Sequence, residues 1–351
     1  MNISAVAARA RVSTATVSRV INGTAKVSPE TAERVREAIE TLNFYPDISA
    51  RTLGSGRSGL YGLIISDITN PYFPELVKAF EDIAVEHGQD VLIANTDYDP
   101  KRMEACVIRM LQRKVDGVAI MTSEMEDRLI HTFSHRQIPT IFMDTPKGMK
   151  GLNTVRVDYE DGVKQAMEHL FAFGHRRIAF ISGPLALSSA QVRAQAFAKF
   201  LRRHGLTGES HLIQEGDHRV EGGHAAMQRI LQSGKRPTAV LASNDLTAIG
   251  AIGAIREAGL RIPEDISVIG FDDIELSTYT QPTLTTLQVP RRELAAIAFR
   301  SLFRGRDAVV GKPAAKLEHV IQPQLIVRHS TAQAPKQAGK TSATRNRPSG
   351  V

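Results

Sequence analysis

The chain of 351 residues contains one cysteine and no tryptophan, and aromatics make up 5% of it. A single thiol, Cys106, cannot close an internal disulfide, so a disulfide-stapled fold is excluded and a reducing compartment is expected. No apolar run approaches the roughly 20 residues of a membrane-spanning helix. Arg9, Arg11 and Arg19 break up the short apolar stretches near the start, which therefore do not read as a secretory signal. A cytoplasmic location is expected. Catalytic signatures are missing as well: no GxSxG, HExxH, Walker A or CxxC stretch occurs. His131 and His135 have no carboxylate or cysteine partner close in sequence, so they read as a surface pair. No metal, no cofactor and no enzymatic activity is expected. What is present is 42% hydrophobic and 23% charged residues, over a length sufficient for two or three domains with sizeable cores.

The formal charge of +7 is unevenly placed. Residues 1–59 carry eight Lys/Arg and five Asp/Glu, for +3, and residues 331–351 carry Lys336, Lys340, Arg345 and Arg347 with no acid, for +4. The stretch 60–330 holds 32 basic and 32 acidic residues and is neutral. A basic end attracts an anionic polymer, although solvated tails are commonly basic without a partner.

Residues 2–42, within a first unit of residues 1–45, read as three short helices. Asn2 caps the first, whose apolar residues Ile3, Val6, Ala7 and Ala10 recur with helical period. Ser13 caps the second, with Val17, Val20 and Ile21 on one face, and Asn22-Gly23 ends it. The third opens on Ser28-Pro29-Glu30, a capping hydroxyl, a proline suited to the first helical position and an acid at the positive dipole end. Ala32, Val35, Ile39 and Leu42 form its buried stripe. With its apolar face inward, the second helix turns Thr14, Ala15, Ser18 and Arg19 outward. Small polar groups and a guanidinium near a helix start suit the DNA major groove, where Arg pairs with guanine. Spacing alone fits an ordinary solvated helix face equally well.

The run Thr16-Val17-Ser18-Arg19-Val20-Ile21-Asn22-Gly23, with Val27-Ser28-Pro29-Glu30-Thr31, Leu42-Asn43-Phe44-Tyr45-Pro46 and Ala50-Arg51-Thr52-Leu53, resembles the headpiece of the lac repressor (LacI/GalR) family. The resemblance implies a helix-turn-helix unit that binds double-stranded operator DNA. It places Thr14, Ala15 and Arg19 at base-reading positions and Ser13, Thr16 and Ser28 at phosphates, contacts that set register without carrying sequence information. Three departures stand out: Ala5 replaces the family's usual Asp, Arg11 its usual turn Gly, and Asp47 its usual Asn. Residues 46–59 read as a hinge helix and linker, too short to persist as a helix alone in water. By the resemblance this helix forms on the operator, with Ala50 and Leu53 at the DNA and Leu53 wedged into the minor groove beside its dimer mate. A plain tether is the other reading.

Residues 60–330 alternate short apolar runs with helical stretches, the pattern of parallel sheets with covering helices. One set of runs lies at 60–66, 91–94, 117–121 and 140–143, a second at 178–182, 212–214, 239–242 and 267–271. Each set spans about a hundred residues, as if one domain type were used twice. Polar residues follow the runs: Asp67, Asn70, Asn95, Asp97, Ser123 and Asp144 in the first set, Ser189, Asp217, Asn244, Asp245, Asp272 and Asp273 in the second. In open α/β sheets ligands bind beyond the carboxyl ends of the strands. Each such residue alone also fits a helix cap or turn.

Asp67-Ile68-Thr69-Asn70-Pro71-Tyr72-Phe73, Gly174-His175-Arg176-Arg177-Ile178, Asn244-Asp245, Gly270-Phe271-Asp272-Asp273 and Pro282-Thr283-Leu284-Thr285-Thr286 resemble the same family's signatures. The resemblance implies a two-lobed core similar to periplasmic sugar-binding proteins, with an effector in the cleft. By carry-over the effector contacts are Tyr72, Phe73, Asp144, Ser189, Arg193, His218, Asn244 and Asp272, with His218 where the family often has an aromatic stacking residue. An arginine among acids and amides ligates several hydroxyls at once, which favours a sugar or sugar derivative; a purine is the alternative. His175 reads as structural. Residues 331–351 lack apolar periodicity and read as a disordered basic tail, without the leucine heptads of a terminal coiled coil, so a homodimer is expected.

The expected fold is therefore α/β: a three-helix headpiece and hinge joined to a two-lobed core of parallel sheets. The expected function is repression of transcription, since a compact dimer with no separate polymerase-binding module acts by blocking DNA. A pure solute-binding protein fits the core but not the headpiece.

Overall fold

Side-chain caps set the first three helices. In a computed structural model of the chain, residues 2–23, 26–45, 57–122, 127–144, 152–206, 212–234, 236–306 and 317–336 are described. They fall into two compact units, Met1–Gly59 and Leu60–Val351. In the first unit, α1 (Ile3–Ala10) starts where Asn2 Oδ1 accepts the Ala5 N–H at 3.1 Å. The helix α2 (Thr14–Asn22) starts where Ser13 Oγ accepts the Thr16 N–H at 3.1 Å. At the head of α3 (Pro29–Thr41) Ser28 Oγ accepts the Thr31 N–H at 3.3 Å. Each cap satisfies a backbone donor that the first turn leaves without a partner. Val6, Ala7, Ala10, Val17, Val35 and Ala38 form the small core, flanked by Ile3, Val12, Val20, Ile21, Ile39, Leu42 and Phe44. Arg11 turns the chain between α1 and α2 at φ 55°, left-handed backbone that favours glycine.

The second unit is built on two sheets of identical winding. Strands β1 (Leu60–Ile65), β2 (Asp90–Asn95), β3 (Gly117–Met121), β4 (Thr140–Met143) and β5 (Asn153–Val157) belong to the first sheet. Strands β6 (Ile178–Ser182), β7 (Ile213–Glu215), β8 (Ala239–Ala242), β9 (Ser267–Asp272) and β10 (Thr285–Gln288) belong to the second. Adding β11 (Glu318–Ile321) and β12 (Gln324–Ile326), the orders are β11-β5-β4-β3-β1-β2 and β12-β10-β9-β8-β6-β7. All pairings are parallel except that of β10 with β12. Strands β3, β6, β8 and β9 are buried along their whole length, which is why they read as unbroken apolar runs. The eight runs read from sequence all become strands; β5, β10, β11 and β12 are four more.

Covering helices in chain order are α4 (Tyr72–Glu86), α5 (Pro100–Gln112), α6 (Asp127–His135), α7 (Tyr159–Ala172), α8 (Ser188–Arg203), α9 (Val220–Gln232), α10 (Asp245–Glu257) and α11 (Arg291–Arg306). The lobes are not successive blocks of the chain, as the sequence pattern suggested. After β10 of the second sheet, α11 returns to pack on α4, β3 and β4 of the first. There Phe299 meets the rings of Tyr61 and Phe80 at 5.1 and 5.5 Å. The chain thus crosses between lobes after β5, after β10 and after β11, so three adjacent strands of chain join them. The start of the basic tail is fastened to the second lobe: Ala332 N–H donates to Ser267 Oγ and Ala334 N–H to the Phe173 carbonyl. His175 is fully buried beneath it and bonds Thr238 Oγ1 and the Ala332 carbonyl, both at 2.9 Å. Its role is structural, and burial lowers its pKa.

Candidate functional site

Two surfaces carry the residues picked from sequence, one on each unit. On α2, Val17 is fully buried and Val20 and Ile21 pack on the small core, which leaves Thr14, Ala15 and Arg19 exposed and Thr16 and Ser18 half-buried. Ser13 and Ser28 are exposed at the caps of their helices. Thr14 and Ala15 therefore sit in the first turn, the part of a helix that enters a groove first. Ala50 and Leu53 lie outside the described residues.

In the second unit, all eight cleft candidates line one cavity of about 60 Å³ between the lobes. Tyr72 and Phe73, in the first turn of α4, and Asp144, just past β4, come from the first lobe. Ser189 and Arg193 on α8, His218 beyond β7, Asn244 ahead of α10 and Asp272 at the end of β9 come from the second. Sequence reasoning missed Tyr98 and Tyr159 as contributors, along with Ser66, Met121, Thr122 and Leu187. Asn70 stood among the strand-end polar groups without being singled out.

Arg193 is the centre of the cavity. It is only 5% exposed, and its guanidinium carbon lies 4.4 Å from the Tyr159 ring centre and 5.4 Å from that of Phe271. Its Nε is buried without a hydrogen-bond partner. Two carboxylates share its field. Burial pushes Asp272 up to about 7, against the pull of Arg193 and Arg291. Burial pushes Asp144 up to about 6, against Arg193 and a hydrogen bond with Tyr159. His218 is driven down to about 3 by burial and then by Arg193, so it stays a neutral ring, with Nδ1 3.2 Å from Ser243 Oγ. A β-carbon at Gly183 would lie 2.0 Å from His218 Nε2, so glycine there makes room for the ring. Tyr98, Asp144, His218 and Asp272 all have positive φ, at 56°, 60°, 65° and 110°, a local cost accepted where side chains must be aimed.

Several strand-end acids and amides have local work. Asn244 Oδ1 accepts the Thr247 N–H at 2.9 Å while Nδ2 donates to the His218 carbonyl at 2.9 Å, so Asn244 caps α10 and holds the neighbouring loop. Asn95 accepts from Ile68 N–H, and Asp217 from Arg219 N–H. Asp245, fully buried, accepts from the Thr286 hydroxyl at 2.5 Å and Ile274 N–H at 2.9 Å. Asp273 pairs with Arg328 at 2.6 Å. Ion pairs tie the lobes across the cleft. Arg219 of the second lobe reaches Asp67 at 3.3 Å and Asp97 at 3.6 Å in the first. Arg291 of α11, which packs on the first lobe, meets Glu75 of α4 at 2.7 Å and reaches the second lobe by donating to the Asp272 and Asp273 carbonyls at 2.5 and 2.8 Å. Glu75 also accepts the Glu275 N–H at 3.1 Å. Among the described residues no group of three or more His, Cys, Asp or Glu is placed to hold a metal ion, and no helix is long and apolar enough to cross a membrane.

A capped helix-turn-helix unit followed by two repeated parallel-sheet lobes around a polar cavity defines a ligand-responsive DNA-binding regulator. The chain belongs to the lacI family of bacterial regulatory proteins. Residues 2–47 match that family, and residues 167–331 match the periplasmic binding protein-like domain. The HTH-type transcriptional repressor PurR of Erwinia tasmaniensis is 37% identical, covering 94% of this chain and 96% of its own length. Catabolite control protein A of Priestia megaterium is 33% identical, covering 85% of this chain and 90% of its own length. Among solved structures, the lac repressor dimer bound to operator and the anti-inducer ONPF is 30% identical with a TM-score of 0.84, covering 95% of this chain and 99% of its own. The protein is thus a DNA-binding transcriptional repressor under effector control.

Proposed function

We propose that this repressor binds a near-palindromic operator as a homodimer in the cytoplasm and answers to a sugar or sugar derivative in the inter-lobe cavity. Arg193 carries the effector reading. A buried arginine with an unpaired Nε, backed by two rings and faced by two acids, offers donors and acceptors side by side, the complement of adjacent hydroxyl groups. Tyr72, Phe73 and Tyr159 supply ring faces for the apolar side of a sugar. The neutral His218 adds a ring that both donates and accepts. These same rings favour the second reading, a purine, stacked rather than ligated by its edges. None of these groups is assigned a step of turnover; the site binds and releases.

On the DNA side Thr14, Ala15 and Arg19 read base edges, Ser13, Thr16 and Ser28 hold phosphates, Ser18 and Ala50 lie at the DNA, and Leu53 enters the minor groove from the hinge. The exposure of Thr14, Ala15 and Arg19 on the first two turns of α2 supports this reading. The operator-bound lac repressor dimer supports the two-fold arrangement. Closure of the lobes on the effector couples the cavity to the operator, because a ligand that favours one lobe arrangement shifts the equilibrium by its difference in affinity.

Two measurements test the proposal. Selection of duplexes from a random library by the full-length protein yields a two-fold motif, and Arg19→Ala relaxes one base position in each half at a cost of about 1–3 kcal/mol; an unchanged motif removes Arg19 from base reading. Thermal unfolding against neutral sugars and purines gives a shift with a sugar that Arg193→Ala abolishes. A shift with purines alone replaces the sugar reading by the second.

A further inference from the structure

The inner cavity is not the end of the cleft. Past Asp144, Tyr159 and Ser189, which line both spaces, an outer cavity of about 470 Å³ opens. One wall is the face of α8 that carries Val192, Ala196, Lys199 and Arg202, residues spaced by three and four and so in line along the helix. The opposite wall includes Arg156 on β5, in the first lobe. The acids lining this space are already committed. Asp158 caps α7 by accepting the Asp161 N–H at 3.2 Å, Glu160 is paired with Lys199, and Asp144 is hydrogen-bonded to Tyr159. Two cations are left under-used. Arg156 Nε is buried with no hydrogen-bond partner, and its ion pair with the exposed Glu318 is a long one, at 3.7 Å. Arg202 has no ion pair among the described residues.

We propose that the outer cavity holds an anionic end of the effector, a phosphate or a carboxylate, between Arg156 of one lobe and Arg202 of the other, while the effector's uncharged part fills the inner cavity. Val192 is 38% exposed and, with Ala196, supplies an apolar strip between the two ends. An anion held from both lobes draws them together, so the charged end acts on lobe closure as well as on affinity. This rests on the inter-lobe cavity being the effector site. It does not rest on the inner part being a sugar.

The test uses inorganic phosphate and acetate as fragment probes, titrated by calorimetry into the full-length protein at constant ionic strength set with chloride. The DNA-reading unit also attracts phosphate, so the comparison with Arg156→Gln/Arg202→Gln decides. The expected result is an apparent Kd for at least one probe that is about tenfold weaker in the double variant, with its circular dichroism unchanged. Phosphate alone points to a phosphorylated effector, and acetate alone or both to a carboxylate. Arg202→Gln, a change at an exposed helix end, gives part of the same loss and serves if the double variant does not fold. Equal titrations in the wild type and Arg202→Gln, or no heat from either probe, overturn the inference. Failure of the sugar reading shows separately, as the absence of any response to neutral sugars.

Discussion

At the scale of single residues, the molecule spends stability where it aims side chains. Arg11 shows this in the headpiece. At φ 55° it takes a conformation that costs an L-residue with a β-carbon roughly 1–2 kcal/mol relative to glycine. The sequence already marked it as a departure, and the turn has kept its shape with the less suited residue. Arg11→Gly is expected to stabilise the headpiece by about 1 kcal/mol, read as amide exchange in α1 and α2 of the full-length protein slowing about fivefold. Asp272 shows it in the cavity. Folded, it keeps its proton up to about 7, whereas an unfolded aspartate loses it near about 3.9. Between these values the folded state binds more protons, so this carboxyl lowers stability as pH rises and its cost is complete above about 7. Asp272→Asn removes that dependence. The unfolding free energy of the variant relative to wild type is expected to rise from pH 5 to pH 7 and then level off, by an amount of the order of a few kcal/mol. A flat difference across that range shows that Asp272 is ionised throughout.

At the scale of elements, the caps of α1 to α3 and the eight apolar runs were readable because both are local patterns. A cap needs only the three residues after it, and a strand covered on both faces announces itself by composition. The missed strands are polar for reasons that lie far away in sequence. In β10 the Thr286 hydroxyl is satisfied by Asp245, 41 residues earlier, and Thr285 N–H by Ser330. In β5 Arg156 faces a cavity rather than a core. Missing β5 meant missing Tyr159, which follows its end and backs Arg193. The same distance rule explains why the strand-end acids could be collected but not sorted. Asn244 caps α10 as well as lining the cavity, Asp217 holds a turn by accepting the Arg219 N–H, and Asp272 is a buried acid facing Arg193, a distinction made by partners and not by spacing. Helix contact also has a close point invisible in the pattern: a β-carbon on Gly250 of α10 would lie 2.0 Å from the Val220 carbonyl oxygen and 2.6 Å from the His224 nitrogen on α9. Because both neighbours are backbone, Gly250→Ala must push the helices apart. It is expected to destabilise the core by about 1–3 kcal/mol in chemical denaturation, with the inner-cavity residues untouched.

At the scale of the whole molecule, the repeated winding places two sets of strand ends face to face, and the three crossings let the lobes move without separating. The uneven charge matches this division: a neutral core for sensing and a basic end for DNA. The ties across the cleft are Arg219 to Asp67 and Asp97, and Arg291, held by Glu75, to the Asp272 and Asp273 carbonyls. On the proposed function, an effector at Arg193 tips the balance between lobe arrangements that these ties favour. The measurement that tests this account most directly is operator affinity of the full-length protein, followed by fluorescence anisotropy on the selected duplex, with each candidate sugar and purine in turn. The account predicts that one of these ligands changes the operator Kd about tenfold or more in the wild type, and that the same ligand leaves Arg193→Ala unchanged. A ligand response of equal size in Arg193→Ala, or a wild-type affinity that no ligand alters, would contradict it.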